Sequence, residues 1–417
     1  MICLRYLLYL PVLLFATAMA AAEQSADRQE ALNQAAGELP EGRFEVLTEK
    51  LFRVERTHLG QEISFKGLSE WERRLSRERG IDYAFVNAPI GQIGSEGGET
   101  YADNEMDLYL QWRIEENASV TSRLFFWGTY VQTFSDNTNG EFSRSQQMLT
   151  SPISAGTDPN RHFTAPSALW WEQAFHNRGL TYRAGQLYAT SLWGNNRYTA
   201  DDREGFTNSV LSSNVGLPWS DRPRGLGVMV KQALGFGYVA AGIQDAKAEQ
   251  DRIDFDSAFD GRLLYTVEVG ITPALNQDRE GRYTVAVGYM DTDPGGQQSS
   301  WGLAFSLRQE LNPEMGVFAQ FRHTFGNRVA QEIRSSANLG LVFKQPFGWT
   351  DDSLGIGLLY ARPDDAGLRD EFGVEAYWRL QLTHRLDFTP GVQIIRPRAR
   401  GANGTTAIGS MRIRYVL

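Results

Sequence analysis

The sequence predicts an all-β fold, a single transmembrane antiparallel β-barrel of about 16 strands with a short helical N-terminal segment. Three observations predict it. Segments of about 10 to 12 residues alternate apolar and polar side chains, near the length that a tilted strand needs to cross a bilayer. Tight turns alternate with long loops rich in Gly, Asn, Asp and Ser. Beyond the N-terminus, no run of about 18 apolar residues provides a transmembrane helix, so a membrane-spanning form requires a closed sheet.

The composition favours such a barrel over several soluble domains. Hydrophobic residues make up 42% of the chain and aromatic residues 12%, with 41 glycines, while the mean hydropathy is −0.37. A polar average combined with many aromatic residues suits a wet lumen and aromatic rims. The formal net charge of −9 argues against a nucleic-acid partner.

Residues 1–22 are predicted to be a secretory signal peptide. Arg5 is the positive region, residues 7–15 are the apolar core, and small residues at 18–20 or 20–22 offer the cleavage site. The alternative, a membrane anchor, is disfavoured because the apolar core is short. The one cysteine, Cys3, lies in this signal, so cleavage would exclude disulfides, cysteine ligands and cysteine catalysis.

Residues 23–80 are predicted to form a periplasmic or lumen-capping helical segment. Apolar residues recur at helical spacing between 44 and 54. Ser69 and Glu72 have the spacing of a capping box, Trp71 lies on the apolar face that follows, and Gly80 is a suitable end. This second helix is either a periplasmic cap with no transport role or an element that narrows the barrel mouth.

Residues 81–417 are predicted to form the barrel. In the last segment Met411, Ile413 and Tyr415 alternate with Arg412 and Arg414, as expected when two strand faces meet different surroundings. A soluble sandwich alternates too, but its strands are usually about half as long. The predicted strands are 81–90, 103–114, 118–132, 166–177, 179–189, 224–234, 235–245, 261–272, 281–291, 299–310, 313–325, 333–345, 352–362, 370–381, 384–395 and 406–417.

If the apolar face meets lipid, the opposite side chains line a lumen. An arginine facing lipid near the midplane would cost about 2 to 4 kcal/mol, so the aligned arginines support this assignment. Guanidinium and carboxylate groups exchange hydrogen bonds with sugar hydroxyls. Alternatively, the charges pair across strands and brace the wall. The pore-lining candidates are Arg113, Arg183, Arg308, Arg322, Glu371, Glu375, Arg379, Gln381, Asp387, Gln393, Arg412 and Arg414.

The long loop after Tyr188 is the candidate for a constriction. It combines aromatic residues with amides and charges, and pyranose rings stack on aromatic faces while their hydroxyls meet polar groups. The alternative is a surface loop that packs its aromatic residues against the barrel rim. The candidates for sugar contact are Trp193, Asn195, Asn196, Arg197, Tyr198, Phe206 and Trp219.

Enzymatic interpretations find little support in the sequence. The five histidines are scattered, with no HExxH motif and no Gly-x-Ser-x-Gly elbow. Acidic pairs such as Asp201-Asp202 are more often solvated turns than metal sites. We therefore predict no catalytic residue, no cofactor and no metal site.

Two stretches carry a resemblance to a known family. The first runs from Ala184-Gly185-Gln186-Leu187 through Asn195-Asn196-Arg197-Tyr198 to Leu217-Pro218-Trp219, a glycine-containing strand followed by an aromatic, Asn-rich loop. The second contains Glu375-Ala376-Tyr377-Trp378, then Gln381-Leu382-Thr383 and Thr389-Pro390-Gly391-Val392-Gln393. In both, the chain resembles the carbohydrate-selective porins of the OprB family from Gram-negative outer membranes. Gly391 and Val392 depart from the family, where a bulkier pair is expected.

The resemblance implies a sixteen-stranded outer-membrane barrel through which monosaccharides and small oligosaccharides diffuse, with arginines and acids at the constriction. Expected partners are sugars, outer-membrane lipid, lipopolysaccharide and the barrel-assembly machinery, with a homo-oligomer possible. The alternative functions are a channel for polysaccharide export and one for other small polar solutes.

Overall fold

The computed structural model describes residues 58, 66–152, 162–199, 202–220, 224–258, 262–275, 279–291, 298–326, 329, 332–349, 351–401 and 404–417. The predicted signal peptide and the helical pattern between 44 and 54 lie outside these residues.

Sixteen long strands form the sheet, and we number them β1 to β16. They are β1 (Ile81–Gly94), β2 (Thr100–Glu116), β3 (Val120–Thr133), β4 (His162–Phe175), β5 (Leu180–Tyr188), β6 (Arg224–Leu234), β7 (Gly237–Asp245), β8 (Leu263–Ile271), β9 (Arg279–Met290), β10 (Ser300–Asn312), β11 (Met315–Gly326), β12 (Ile333–Lys344), β13 (Ser353–Pro363), β14 (Glu371–Gln381), β15 (Leu386–Ile395) and β16 (Thr406–Val416). A two-residue strand, Ala274–Leu275, pairs with the start of β9.

The sheet closes on itself. Each strand pairs antiparallel with the next along the chain, and β16 pairs with β1, where Val86 lies opposite Val416 and Ile90 opposite Arg412. Closure gives every strand two neighbours, so no backbone edge meets lipid. The predicted barrel of about 16 strands is confirmed, and each predicted strand overlaps an observed one.

The two faces of the wall differ as the alternation predicts. On β2, Leu110, Trp112 and Ile114 are exposed on the outside, whereas Asp107 and Gln111 point inward and are buried. On β16, Met411 and Ile413 are exposed while the arginines between them are buried. The apolar band therefore faces outward and the polar side chains face the lumen.

The two ends of the barrel are unequal. Short turns join β2 to β3, β6 to β7 and β10 to β11, and they gather at one end, the short-turn end. The connections after β3, β5 and β7 are long and gather at the other, the long-loop end. This is the arrangement of periplasmic turns and outer loops in transmembrane barrels.

The helices are short. In the described part of the chain the α-helices are α1 (Lys66–Arg79), α2 (Asn139–Ser145), α3 (Ala189–Leu192) and α4 (Ser209–Ser212). Within the described part of the chain, no helix has both the length and the apolar character needed to span a membrane. Helix α1 begins at Lys66, so Ser69 lies inside its first turn and is not its N-cap as the sequence predicts. It ends as predicted at Gly80, whose φ is +67°.

Helix α1 is fixed at the short-turn end. The carboxylate of Glu72 is buried and accepts hydrogen bonds from Arg385 and from the Tyr83 hydroxyl, each at 3.0 Å. Arg113 donates to the Ser76 hydroxyl at 2.8 Å. The helix thus contacts β1, β2 and the turn before β15. That it also narrows the mouth stays a prediction.

We expect Glu72→Gln to loosen α1, because the neutral amide removes the charge that pairs with the buried guanidinium of Arg385. Trypsin should then cleave after the α1 arginines several-fold faster than in the wild type, as read by mass spectrometry in detergent. Glu70→Gln, on the exposed side of the same helix, is the matched control. Equal cleavage rates in the two variants would mean that Glu72 does not hold the helix.

Candidate pore constriction

The connection between β5 and β6 folds into the barrel, and we call residues 189–199 and 202–220 the lumen loop. Asn196 donates to the Ser306 hydroxyl on β10 at 3.1 Å, while Arg203 pairs with Glu105 on β2. Seven strands separate β10 from β2 on either route around the closed sheet, so these contacts lie on opposite parts of the wall. The loop therefore crosses the lumen, where a constriction would form.

Tryptophans of the lumen loop pack into notches made by inward-facing glycines. A Cβ added at Gly242 on β7 would lie 2.6 Å from the Trp193 ring, and one at Gly302 on β10 would lie 2.6 Å from the Trp219 ring. Gly288 on β9 faces the same Trp219 ring. Both tryptophans are almost fully buried. Their packing fixes the two ends of the loop against β7, β9 and β10.

A second apolar contact seats the middle of the loop. Phe206 meets Tyr377 edge to face at 4.9 Å between ring centroids and Phe318 at 5.5 Å. Leu211 and Phe206 cover Gly357 on β13. Edge-to-face pairs add about 0.5–1.5 kcal/mol beyond area burial, so this cluster holds the loop against β11, β13 and β14.

Inward carboxylates bind main-chain amides of the loops. Glu375 accepts hydrogen bonds from the amides of Thr207 at 2.6 Å and Asn208 at 3.0 Å. Glu371 lies earlier on the same strand and also points inward. Its carboxylate accepts hydrogen bonds from the amides of Leu149 at 2.8 Å and Thr150 at 3.0 Å. Charged acceptors make such bonds roughly twice as strong as neutral ones. The wall acids on β14 therefore position both long segments that follow β3 and β5.

Inward arginines bind the carbonyl groups of the same loop. Arg412 donates to the Gly205 carbonyl at 3.2 Å and also to that of Asp202, and Arg322 donates to the Val210 carbonyl at 3.2 Å. With the acids on β14, these arginines give the loop backbone both donors and acceptors inside the barrel.

A partly exposed carboxylate lies between two wall arginines. Glu204 of the lumen loop pairs with Arg414 on β16 and lies 3.4 Å from Arg379 on β14. Its side chain is 22% exposed. Arg414 also binds Asp387 on β15 at 2.7 Å. Glu204 thus presents a charged but paired group at the edge of the loop.

Arg203 joins the loop to the acidic wall of β2. Its guanidinium pairs with Glu105 and Asp107, and with Asp202 at 3.0 Å. The indole of Trp127 donates to Asp107 at 2.6 Å. Several carboxylates around one guanidinium would repel each other without it, so Arg203 stabilises this side of the loop.

A separate charged group braces β3, β4 and β5. Glu172 accepts from Arg123 and Arg183, each at 2.6 Å, and the Arg183 guanidinium lies 4.1 Å from the centroid of the Trp170 ring. Arg183, one of the predicted pore-lining residues, therefore pairs with a charge on the neighbouring strand. This is the alternative given in the sequence analysis, in which the charges brace the wall.

The structure brings together most of the predicted pore-lining residues. Those whose side chains contact the lumen loop are Arg322, Glu375, Arg379, Gln393, Arg412 and Arg414. Asp387 binds Arg414, Glu371 binds the segment at 149–150, Gln381 donates to the Thr383 carbonyl, and Arg308 is buried on β10. Arg113 lies apart from these residues, at the short-turn end, where it contacts α1. Arg183 pairs with Glu172. Contact with a passing solute stays a prediction for all of them.

The predicted sugar-contact residues are mostly engaged in holding the loop. The rings of Trp193, Phe206 and Trp219 are covered by the wall, and Tyr198 faces Gly316. Asn195 and Asn196 bind loop and β10 groups, while Arg197 is exposed. Direct sugar contact by this set also stays a prediction.

Sequence reasoning did not single out Glu105, Glu172, Arg203 or Glu204. For β2 a signal existed, because Asp103, Glu105 and Asp107 alternate and so share the inward face. Arg203 and Glu204 lie in a loop without periodicity, so no pattern pointed to their partners.

A model of the carbohydrate-selective porins, OprB family, matches residues 103–417. This chain belongs to the OprB family. Family and fold are those of outer-membrane channel proteins. Comparison with curated proteins finds no match.

Solved porins share the fold of this OprB-family chain. A high-pH structure of OprB from Pseudomonas putida has a TM-score of 0.69 at 13% identity and covers 84% of this chain and 97% of its own. The low-pH structure of that protein gives 0.53 at 13% identity, covering 86% and 99%. A triple mutant of the Rhodopseudomonas blastica porin gives 0.50 at 12% identity, covering 81% and 100%. At these identities the likeness concerns the barrel fold.

We expect Glu375→Gln to loosen the lumen loop, because the glutamine keeps only one acceptor oxygen and its NH2 group would face the amide of Thr207 or of Asn208. Buried donors left unsatisfied cost about 1–3 kcal/mol. Single-channel recordings in planar bilayers should show a larger and noisier conductance. Asp364→Asn, which removes the partner of Arg334 on the exposed surface, should conduct like the wild type. An unchanged current in Glu375→Gln would mean that this carboxylate does not hold the loop.

We expect Gly302→Ala to displace Trp219, because the added methyl overlaps the ring and overpacking costs about 1–3 kcal/mol. Tryptophan fluorescence and denaturant unfolding should both show the change. Gly91→Ala on β1 is the matched control, since nothing lies within 4 Å of its added Cβ. If both variants unfold at the wild-type denaturant midpoint, the Trp219 ring is not closely packed against Gly302.

Proposed function

We propose that this chain is an outer-membrane porin through which monosaccharides and small oligosaccharides diffuse passively, past guanidinium and carboxylate groups at the lumen loop. The family membership supports sugars as the solute class. The observation that carries the rest of the proposal is Glu204, a partly exposed carboxylate placed between Arg379 and Arg414.

The chemistry of this group suits a neutral, hydroxyl-rich solute. A hydroxyl both donates and accepts hydrogen bonds, a carboxylate accepts them and a guanidinium donates them. Glu204 and its two arginines therefore offer both kinds of partner within one small region. Because the charges are paired, neither a cation nor an anion is strongly preferred.

The expected strength of these contacts agrees with diffusion. A hydrogen bond contributes about 0.5–1.5 kcal/mol net, and a millimolar dissociation constant corresponds to about 4 kcal/mol. A few such bonds give at most weak binding, so a sugar is retained briefly and released. The lumen loop, packed into glycine notches and held by ionic contacts, supports a fixed narrowing that selects by size.

Liposome swelling with purified protein tests the proposal directly. D-glucose and maltose should enter liposomes that contain the protein much faster than empty liposomes. Equal rates would refute a sugar porin. Block of the single-channel current by an anionic polysaccharide would instead favour the alternative of polysaccharide export.

Glu204, Arg379 and Arg414 form what we call the Glu204 group. We expect removal of its negative charge and removal of one of its positive charges to shift ion selectivity in opposite directions. Glu204→Gln leaves Arg379 and Arg414 with excess positive charge, so the reversal potential in a KCl gradient should move toward chloride. Arg379→Ala removes positive charge beside Glu204, so the reversal potential should move in the opposite direction, toward potassium. The reversal potentials of the two variants could instead shift in the same direction, or no more than that of the control Asp364→Asn. Either result would mean that Glu204 does not lie on the ion path.

A further inference from the structure

A cleft of about 310 Å³ opens at the long-loop end, and its lining includes neither Glu204 nor the two arginines beside it. Helix α2 forms one side, α4 of the lumen loop another, and Glu332 with Arg400 the third. We call it the mouth cleft. Ligand sites usually have volumes of about 300–1,000 Å³, so this one accommodates a single sugar ring.

We propose that the mouth cleft is a saccharide-binding subsite that holds one pyranose ring before it reaches the constriction. This inference rests on the proposed function, since it concerns the same class of solute. It adds a binding site that is separate from the contacts between the lumen loop and the barrel wall.

The lining of the mouth cleft has the groups that bind sugars. Ser143 of α2 and Ser209 and Ser213 at α4 supply hydroxyls. Arg144 and the ion-paired Arg400 and Glu332 supply charged donors and an acceptor. Two buried apolar side chains, Leu149 and Ile333, also line it. Hydroxyls and ionic groups meet sugar hydroxyls, while apolar carbons meet the C–H face of a ring.

The charged side of the cleft is held in place before any solute binds. Arg400 pairs with Glu332, and its Nε donates to the Met148 carbonyl at 3.1 Å. The Arg400 amide donates to the Gln147 carbonyl at 3.0 Å. The guanidinium is thus held by two contacts and its backbone by a third, so the side chain loses less freedom when a sugar binds, which favours affinity.

Two of the four non-glycine residues with positive φ in the described part of the chain lie beside this cleft, and the other two lie in the turn before β13. Glu332 has φ +60° and Gln147 has φ +59°, both in the left-handed region that non-glycine residues seldom adopt. Each such residue costs about 1–3 kcal/mol, and these residues cluster at ligand sites, where the strain positions a group. Here the strained Glu332 provides the carboxylate of the cleft, and Gln147 provides the carbonyl that binds Arg400.

The cleft adjoins the constriction through α4. The Ser209 amide donates to the Ser151 carbonyl at 2.9 Å. Asn208, one residue earlier, binds Glu375 through its amide and Gln393 through its side chain. A sugar held beside Ser209 would therefore lie next to the segment that the wall acids position, at the start of the path.

The test measures sugar affinity from each side of the membrane. In planar bilayers with oriented channels, D-glucose or maltose is added to one side, and the concentration that half-saturates the decrease in current is recorded. For addition at the long-loop end we expect Glu332→Gln and Arg144→Ala each to raise this concentration at least threefold. Glu310→Gln, which removes the partner of Lys344 at the short-turn end, should match the wild type.

Glu332→Gly serves as a second variant, because glycine adopts φ +60° without strain and still removes the carboxylate. Half-saturating concentrations equal to the wild type in Glu332→Gln, Glu332→Gly and Arg144→Ala would overturn the subsite. Such a result leaves glucose entry into liposomes intact. Failure of the proposed function is distinct, since the wild-type protein itself would then admit no glucose.

Discussion

The position of the lumen loop depends on one constraint, that backbone groups enclosed by a barrel must find partners on its wall. The lumen loop has few regular hydrogen bonds of its own, because α3 and α4 are only four residues long. Glu375 satisfies its amides and Arg412 its carbonyls. Polar side chains inside this barrel therefore have a structural task as well as the transport role proposed for them, since they replace the water that an exposed loop would bind.

The interior is rich in charge, and many of its charged side chains are paired. Glu268 lies 3.1 Å from Arg282, Asp387 is paired with Arg414, and Glu172 with two arginines. An isolated charge in such a place is costly, whereas a hydrogen-bonded pair is tolerated. Pairing of this kind leaves hydrogen-bonding groups inside the barrel with part of their charge compensated, which agrees with the uncharged polar solutes proposed above.

The barrel could be predicted from the sequence because its signal is local. Met411, Arg412 and Ile413 alternate whatever lies elsewhere in the chain, and the same rule located all sixteen strands. The contacts of the constriction could not be predicted in this way. Trp219 packs against Gly288 and Gly302 on strands far along the chain, and neither glycine differs in sequence from one that faces lipid. Likewise, an arginine that binds a carbonyl group has no partner residue that a pattern could reveal.

The glycine notches also imply an order of assembly. The lumen loop follows β5, but the notches that receive Trp193, Trp219 and Leu211 belong to β7, β9, β10 and β13. The loop cannot reach its final position until that part of the wall exists, so the sheet must be largely formed before the loop packs inside it. An early barrel would therefore have a more open lumen than the finished one, and the lumen loop would reach its place after the strands that hold it.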